Sequence, residues 1–122
     1  MQISREEGTV LNAISAYAEG EIRMRDRVFH ASLIATRDAV ITEWKPPPVE
    51  QLSIDDFARL LELSPELVLL GTGSKQRMPP PRLFAAFASR RIGLEVMDTG
   101  AACRTYNLLL SEYREVAIAL IV

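Results

Sequence analysis

The sequence predicts an α/β fold built on a mixed sheet, and three observations carry that prediction. The apolar runs LVLL at 67–70, LEVM at 94–97 and VAIALIV at 116–122 read as strands. Helical patterns over 82–91 and 101–112 separate them. The resulting β-α-β-α-β order calls for right-handed crossovers and parallel pairing. Ahead of it, residues 28–44 read as an antiparallel meander, which makes the sheet mixed.

Residues 1–27 are weakly patterned. AISAYAEG at 13–20 and EIRMRD at 21–26 suit short strands, with Gly20 at a turn. In 28–36, Phe29, Ala31, Leu33 and Ala35 alternate with His30, Ser32 and Ile34, the period of a strand. The β-branched run at 39–44 is the next strand, and Arg37 with Asp38 forms the turn between them. Pro46, Pro47 and Pro48 end this block, because proline cannot donate to a ladder.

The best-bounded helix starts at Ser53. Ser53 is a good N-cap, and Asp55 and Asp56 place negative charge where the helix dipole favours it. Asp56, three residues on, makes a shortened version of the capping box, and Leu52 and Phe57 hold the hydrophobic-staple positions. Ile54, Phe57, Ala58 and Leu61 make one apolar face, and Pro65 stops the helix. The helix over 82–91 turns Leu83, Phe84, Phe87 and Ala88 inward. The one over 101–112 turns Ala102, Cys103, Tyr106, Leu109 and Leu110 inward. The unbroken apolar run at 116–122 suits a parallel strand covered on both faces.

The 122 residues suit a single domain over 1–122. A chain of this length buries roughly two-thirds of its unfolded surface and needs no disulfide or structural metal. Hydrophobic residues at 48% and charged residues at 25% are those of a soluble globular protein. A net charge of −2 with scattered Lys and Arg argues against a nucleic-acid partner. One cysteine, Cys103, cannot form an internal disulfide and fits a reducing compartment. The run at 116–122 is far short of the roughly 20 residues that span a bilayer. The N-terminus carries neither a signal-peptide pattern nor an Arg-rich presequence. The expectation is a soluble cytoplasmic protein that inserts in no membrane and meets membranes only through partners.

Two glycine-bearing turns are the candidate site. In GTGSK at 71–75, Gly71 and Gly73 let successive N–H groups face one hollow, Thr72 stands between them, and Ser74 and Lys75 add a hydroxyl and a positive charge. Such a hollow suits a phosphate or carboxylate. It is not a P-loop, and Gln76 stands where a dinucleotide fingerprint needs its third glycine. Two glycines equally suit a tight strand exit with no ligand. In the second turn, DTG at 98–100, Asp98 or Thr99 caps the following helix, and Gly100 admits close backbone approach. Arg104 can reach an anion at the helix start or pair with a nearby acid. Both turns fall at the carboxyl ends of parallel strands, where ligands of open α/β sheets bind.

Other residues give less. Cys103 falls on an apolar helix face and reads as a buried, inert thiol. His30 is the one histidine, so neither a catalytic pair nor a spaced metal-ligand set is legible, and no cofactor is expected. Asp55 and Asp56 read as helix-start charges. Trp44 and the triple prolines at 46–48 and 79–81 suit either a protein interface or the ordinary ends of buried elements.

The motifs LLGTGSKQ at 69–76 and MDTGAACRTYNLLLSEYREVAIALI at 97–121 resemble a family of small bacterial and archaeal proteins of unknown function. That family includes the mitochondrial NADH dehydrogenase (complex I) assembly factor 3. The resemblance runs from about Val28 to Val122, including E-W-x-P at Glu43 to Pro46, and makes 28–122 the family-like core. It implies three layers: a central mixed sheet, helices on its faces and an extra β-hairpin. It also implies a non-catalytic interaction protein that assists assembly of inner-membrane complexes. Its partners would be proteins, among them membrane-complex subunits, and without a mitochondrial presequence the chain looks like a bacterial member. It supplies no catalytic residues. The alternative from the residues is a small-molecule binder, or an enzyme, holding an anionic group between 71–75 and the Thr99–Arg104 helix start.

Overall fold

The computed structural model describes residues 12–122. Its centre is a five-stranded mixed sheet in the order β5-β4-β8-β6-β7. β4 (Leu33–Ala35) and β5 (Val40–Ile41) form an antiparallel hairpin, closed by Thr36 N–H donating to Ala39 O at 2.8 Å. This places Arg37 and Asp38 in the expected turn. β6 (Leu67–Gly71) lies parallel to both β7 (Gly93–Met97) and β8 (Val116–Leu120). β8 runs antiparallel to β4, so the sheet is mixed as expected.

A second, antiparallel sheet joins β1 (Ala16–Ala18), β2 (Glu21–Met24) and β3 (Arg27–Phe29). Gly20 makes the first turn at φ +77°, a conformation open chiefly to glycine. The single strand expected over 28–36 is therefore two strands in two sheets. His30 and Ala31 are exposed where the chain crosses between them. Alternation continued through the crossing, so the pattern alone could not reveal it.

The segment capped by Ser53 is tighter than a regular helix. A 3₁₀ turn, Ile54–Phe57, leads into one α-helical turn, α1 (Ala58–Leu61). The capping box forms, with Ser53 N–H donating to Asp56 Oδ2 at 2.8 Å. Phe57 and Leu60 are the buried residues, while Ala58 is exposed. α2 (Pro81–Ser89) starts with proline at its first position, where the missing N–H costs nothing. α3 (Thr99–Ser111) starts earlier than the sequence suggested, so Thr99 and Gly100 form its first turn rather than a loop.

The strands sort their side chains by parity. Leu69, Ile118 and Leu120 face α3 and the small sheet, packing with Ile22, Met24, Tyr106 and Leu110. Val68, Leu70, Ala117 and Ala119 face the other way, against Phe57, Leu60, Leu83 and Phe87. Trp44 belongs to this second core. It lies 5.6 Å from the Phe57 ring, and its Nε1–H donates to Asp56 O at 2.8 Å. Of the two roles open to it, Trp44 takes the buried one.

Candidate functional site

The chain leaves β6 through α2 to β7 on one side, then returns through α3 to β8 on the other. The first crossover leaves the carboxyl end of β6 and the second that of β7, so the two diverge between these neighbouring strand ends, the switch point of the sheet. Gly71, Met97 and Leu120 are in register there. The two turns meet at this point.

They meet through a hydrogen-bonded lock. Thr99 N–H donates to Gly73 O at 2.8 Å, and Gly73 N–H donates to Thr99 Oγ1 at 2.8 Å. The Thr99 hydroxyl in turn donates to Ile121 O at 3.3 Å. Ile121 N–H donates to Gly71 O at 2.9 Å, which ties β8 into the same knot. Thr72 closes the other half of the turn. Its hydroxyl donates to Lys75 O at 2.6 Å and accepts Arg77 N–H at 3.0 Å. Thr99 and Thr72 are both buried. Gly73 has φ +99°, whereas Gly71 is required by contact: a Cβ there would lie 2.8 Å from Leu120 Cδ2 and 3.1 Å from Thr99 Cα. At the helix start, Asp98 accepts Ala101 N–H at 2.9 Å, so a carboxylate of the chain itself already meets the dipole.

Two clefts open beside the lock. The first, of about 380 Å³, is lined by Thr72, Gly73, Ser74 and Lys75, with Tyr17, Glu19, Gly20 and Arg77. The second, of about 290 Å³, includes Gly100, Cys103 and Arg104. Tyr17 lines both and stands between them. Of the expected residues, Gly71 and Thr99 lie in the lock. Thr72 and Gly73 are shared between lock and cleft, with Ser74 and Lys75 exposed on the first cleft. Gly100 and Arg104 belong to the second cleft. The turns are joined, but their side chains do not converge on one hollow.

The charges are mixed. Arg77 holds Glu50 in a two-pronged pair at 2.7 and 3.0 Å, and Lys75 is exposed on the same first cleft. Glu50 is held below its ordinary range by its own backbone hydrogen bond and by Arg77. Burial raises the Tyr17 phenol, and nearby Cys103, Glu19 and Asp98 raise it further. Burial pushes the Cys103 thiol up to about 12, with Arg104 opposing only in part. A thiol so held is protonated at neutral pH, which agrees with the inert reading of Cys103. Among the described residues no three His, Cys, Asp or Glu side chains gather as a metal-ligand set.

The sequence did not reveal Tyr17, Glu19, Gly20 or Arg77 as cleft residues. The role of Asn107 was equally hidden. Its side-chain amide pairs with the backbone of Ile14 in both directions, at 2.8 and 2.7 Å, imitating a strand. These are contacts across long sequence separation in a weakly patterned region. The glycine turn at Gly20 was their one local signal.

Residues 14–121 match the family described as "Protein of unknown function (DUF498/DUF598)". The chain belongs to this family. The match begins ahead of Val28, so it takes in the small sheet as well as the core that the motifs marked. An NMR structure of a Xanthomonas campestris protein is 38% identical, with a TM-score of 0.82 over 90% of this chain and 83% of that one. The 13 kDa major membrane protein of Francisella tularensis is 28% identical over 86% of each chain. The bovine NADH dehydrogenase [ubiquinone] 1 alpha subcomplex assembly factor 3 is 29% identical over 98% of this chain. This chain spans 65% of the bovine protein's length and 52% of its mouse counterpart's. The relatives thus include a protein named for a membrane and one named for assembly. Among the described residues, no helix is long and apolar enough to cross a membrane.

Proposed function

We propose that the protein is a non-catalytic interaction protein that assists assembly or biogenesis of inner-membrane complexes, respiratory ones foremost. The observation that carries this reading is the alignment with the bovine assembly factor, which takes in 98% of this chain. The geometry supports it. At the switch point, where a ligand site is expected, the Gly73 N–H and the Thr72 and Thr99 hydroxyls already have internal partners. The protein works at the cytoplasmic side of the membrane and reaches it through those partners. Affinity capture from gently solubilised native membranes tests the reading. Recovery of the same complex subunits in repeated captures is expected. Captures that return only the bait would sink it.

A second reading keeps a small anionic ligand, and the exposure of Ser74 and Lys75 on a cleft beside the switch point favours it. In this reading Lys75 and the turn over 71–75 hold a phosphate or carboxylate group. Arg104 and the Thr99–Gly100 helix start serve its far end beyond Tyr17. A thermal-shift screen against phosphate, nucleotides and dicarboxylates decides it. A ligand at 100 times its dissociation constant adds about 2.7 kcal/mol. The stabilisation should disappear in Lys75→Ala and in Arg104→Ala. Flat melting curves across the panel would leave the turns as architecture.

A further inference from the structure

Among the described residues β7 is an edge strand of the main sheet, five residues long, with β6 on one side and no strand on the other. The opposite edge, β5, has only two residues. In a parallel ladder, each residue points its N–H and C=O to the same side, and successive residues alternate. Gly93 N–H donates inward to Glu66 O at 3.0 Å, and Met97 O accepts inward from Thr72 N–H at 3.0 Å. The backbone groups of Leu94 and Val96 therefore point outward, away from the sheet. The side-chain amide of Gln76 confirms this for one of them by donating to Val96 O at 2.8 Å. A side-chain N–H thus sits where the backbone N–H of a neighbouring strand would sit. The protections of an exposed edge include charged side chains, proline, a bulge and a covering loop. Gly-Leu-Glu-Val-Met, paired in unbroken register, has neither proline nor bulge, and its one charge is Glu95.

We propose that β7 is a docking edge that takes an extended segment of a protein partner as a sixth strand, displacing the Gln76 amide. The partner's chemistry follows from the one charged side chain on the edge. Glu95 is exposed, on the face opposite the partly buried Leu94 and Val96. A strand laid against β7 with a lysine or arginine opposite Glu95 and apolar neighbours on either side matches both faces. A second copy of this chain docked symmetrically about Glu95 would set two carboxylates against each other, so the charge favours a different protein.

The inference rests on the protein-interaction reading, and its test needs no membrane. Isotope-labelled protein is titrated with the capped peptide Ser-Thr-Val-Lys-Val-Thr-Ser and followed by NMR. The expected shifts centre on the Leu94 and Val96 amides and the Gln76 side-chain amide. Replacing the central lysine by glutamate should weaken binding at least twofold, and Glu95→Lys should reverse that preference. Leu94→Pro, which removes an outward N–H, should abolish binding. Since that variant also loses packing, the charge reversal serves as the independent arm. Absence of shifts at millimolar peptide, shifts centred on the first cleft, or an unchanged preference in Glu95→Lys would overturn the proposal. Those outcomes leave the membrane capture standing, and failure of the capture leaves the titration standing.

Discussion

The switch point and the β7 edge lie at neighbouring ends of the same sheet and treat their polar groups in opposite ways. At the switch point Gly73, Thr72 and Thr99 supply donors and acceptors in plenty, and the fold engages them internally. Along β7 the outward groups belong to plain backbone, and one side-chain amide answers one of them. Polar residue types in a motif therefore do not by themselves indicate an open site. What counts is which groups still lack a partner among the described residues, and at β7 those groups carry no residue-type signature at all.

The comparison is tested hardest at Gly71. If the switch point is a lock, filling it must break the fold rather than merely block a ligand. Gly71→Val would drive its Cβ branch against Leu120 and the Thr99 backbone, already at 2.8 and 3.1 Å for a bare Cβ. Overpacking of this kind costs about 3 kcal/mol. The midpoint of urea unfolding should fall accordingly, and an unchanged midpoint would mean that the turn is looser than described. Glu95→Lys, on the β7 edge, should leave the midpoint where it was.

Thr99→Val comes next. The swap nearly conserves volume but removes the hydroxyl that accepts Gly73 N–H and donates to Ile121 O. Leaving the half-buried Gly73 N–H without its partner costs up to about 2 kcal/mol. Thr99→Ser keeps the hydroxyl and should recover most of that loss. Equal stability of the two variants would mean that the methyl group, not the hydrogen bonds, matters at this position.

Asp98→Ala should cost about 1 kcal/mol, the usual value of a lost N-cap. It also removes the carboxylate that meets the α3 dipole. If Asp98 is what keeps anions from the helix start, Asp98→Asn should gain phosphate affinity while keeping its cap bond to Ala101 N–H. Titration calorimetry reads that gain. No change on neutralisation would mean that geometry, not charge, closes the helix start.

Much of this architecture was legible in the sequence, because it follows from period and handedness. The β-α-β-α-β order placed both turns at one end of the sheet, and there they meet. The Arg37 and Asp38 turn, the Ser53 capping box and the inward face of α3 follow from local chemistry. Three things were not legible, each for a physical reason. Alternation across His30 and Ser32 shows which face a residue takes but not which sheet it joins. Asp-Thr-Gly reads as a turn because of its composition, yet Asp98 as N-cap draws Thr99 and Gly100 into the helix. The partition of the site by Tyr17 depends on a three-residue strand packing on α3, a contact that no local pattern encodes.

Cys103 gives the smallest effect, absent at neutral pH. It lies on the second cleft, 4% exposed, with its pKa pushed up by burial to about 12. The unfolded thiol ionises at roughly pH 8.5. Because the folded value is the higher one, the protonated thiol's contribution to stability is complete below the unfolded value. As pH rises the unfolded state releases its proton first, so stability falls from about pH 9 towards about 12. Cys103→Ser, whose hydroxyl does not titrate in this range, should lose less stability over the same interval. A thiol-reactive dye offers a second readout at pH 8: slow labelling of the native protein and fast labelling in urea. Fast native labelling would mean that the second cleft opens to the thiol, and the helix start beside Arg104 would then no longer count as closed.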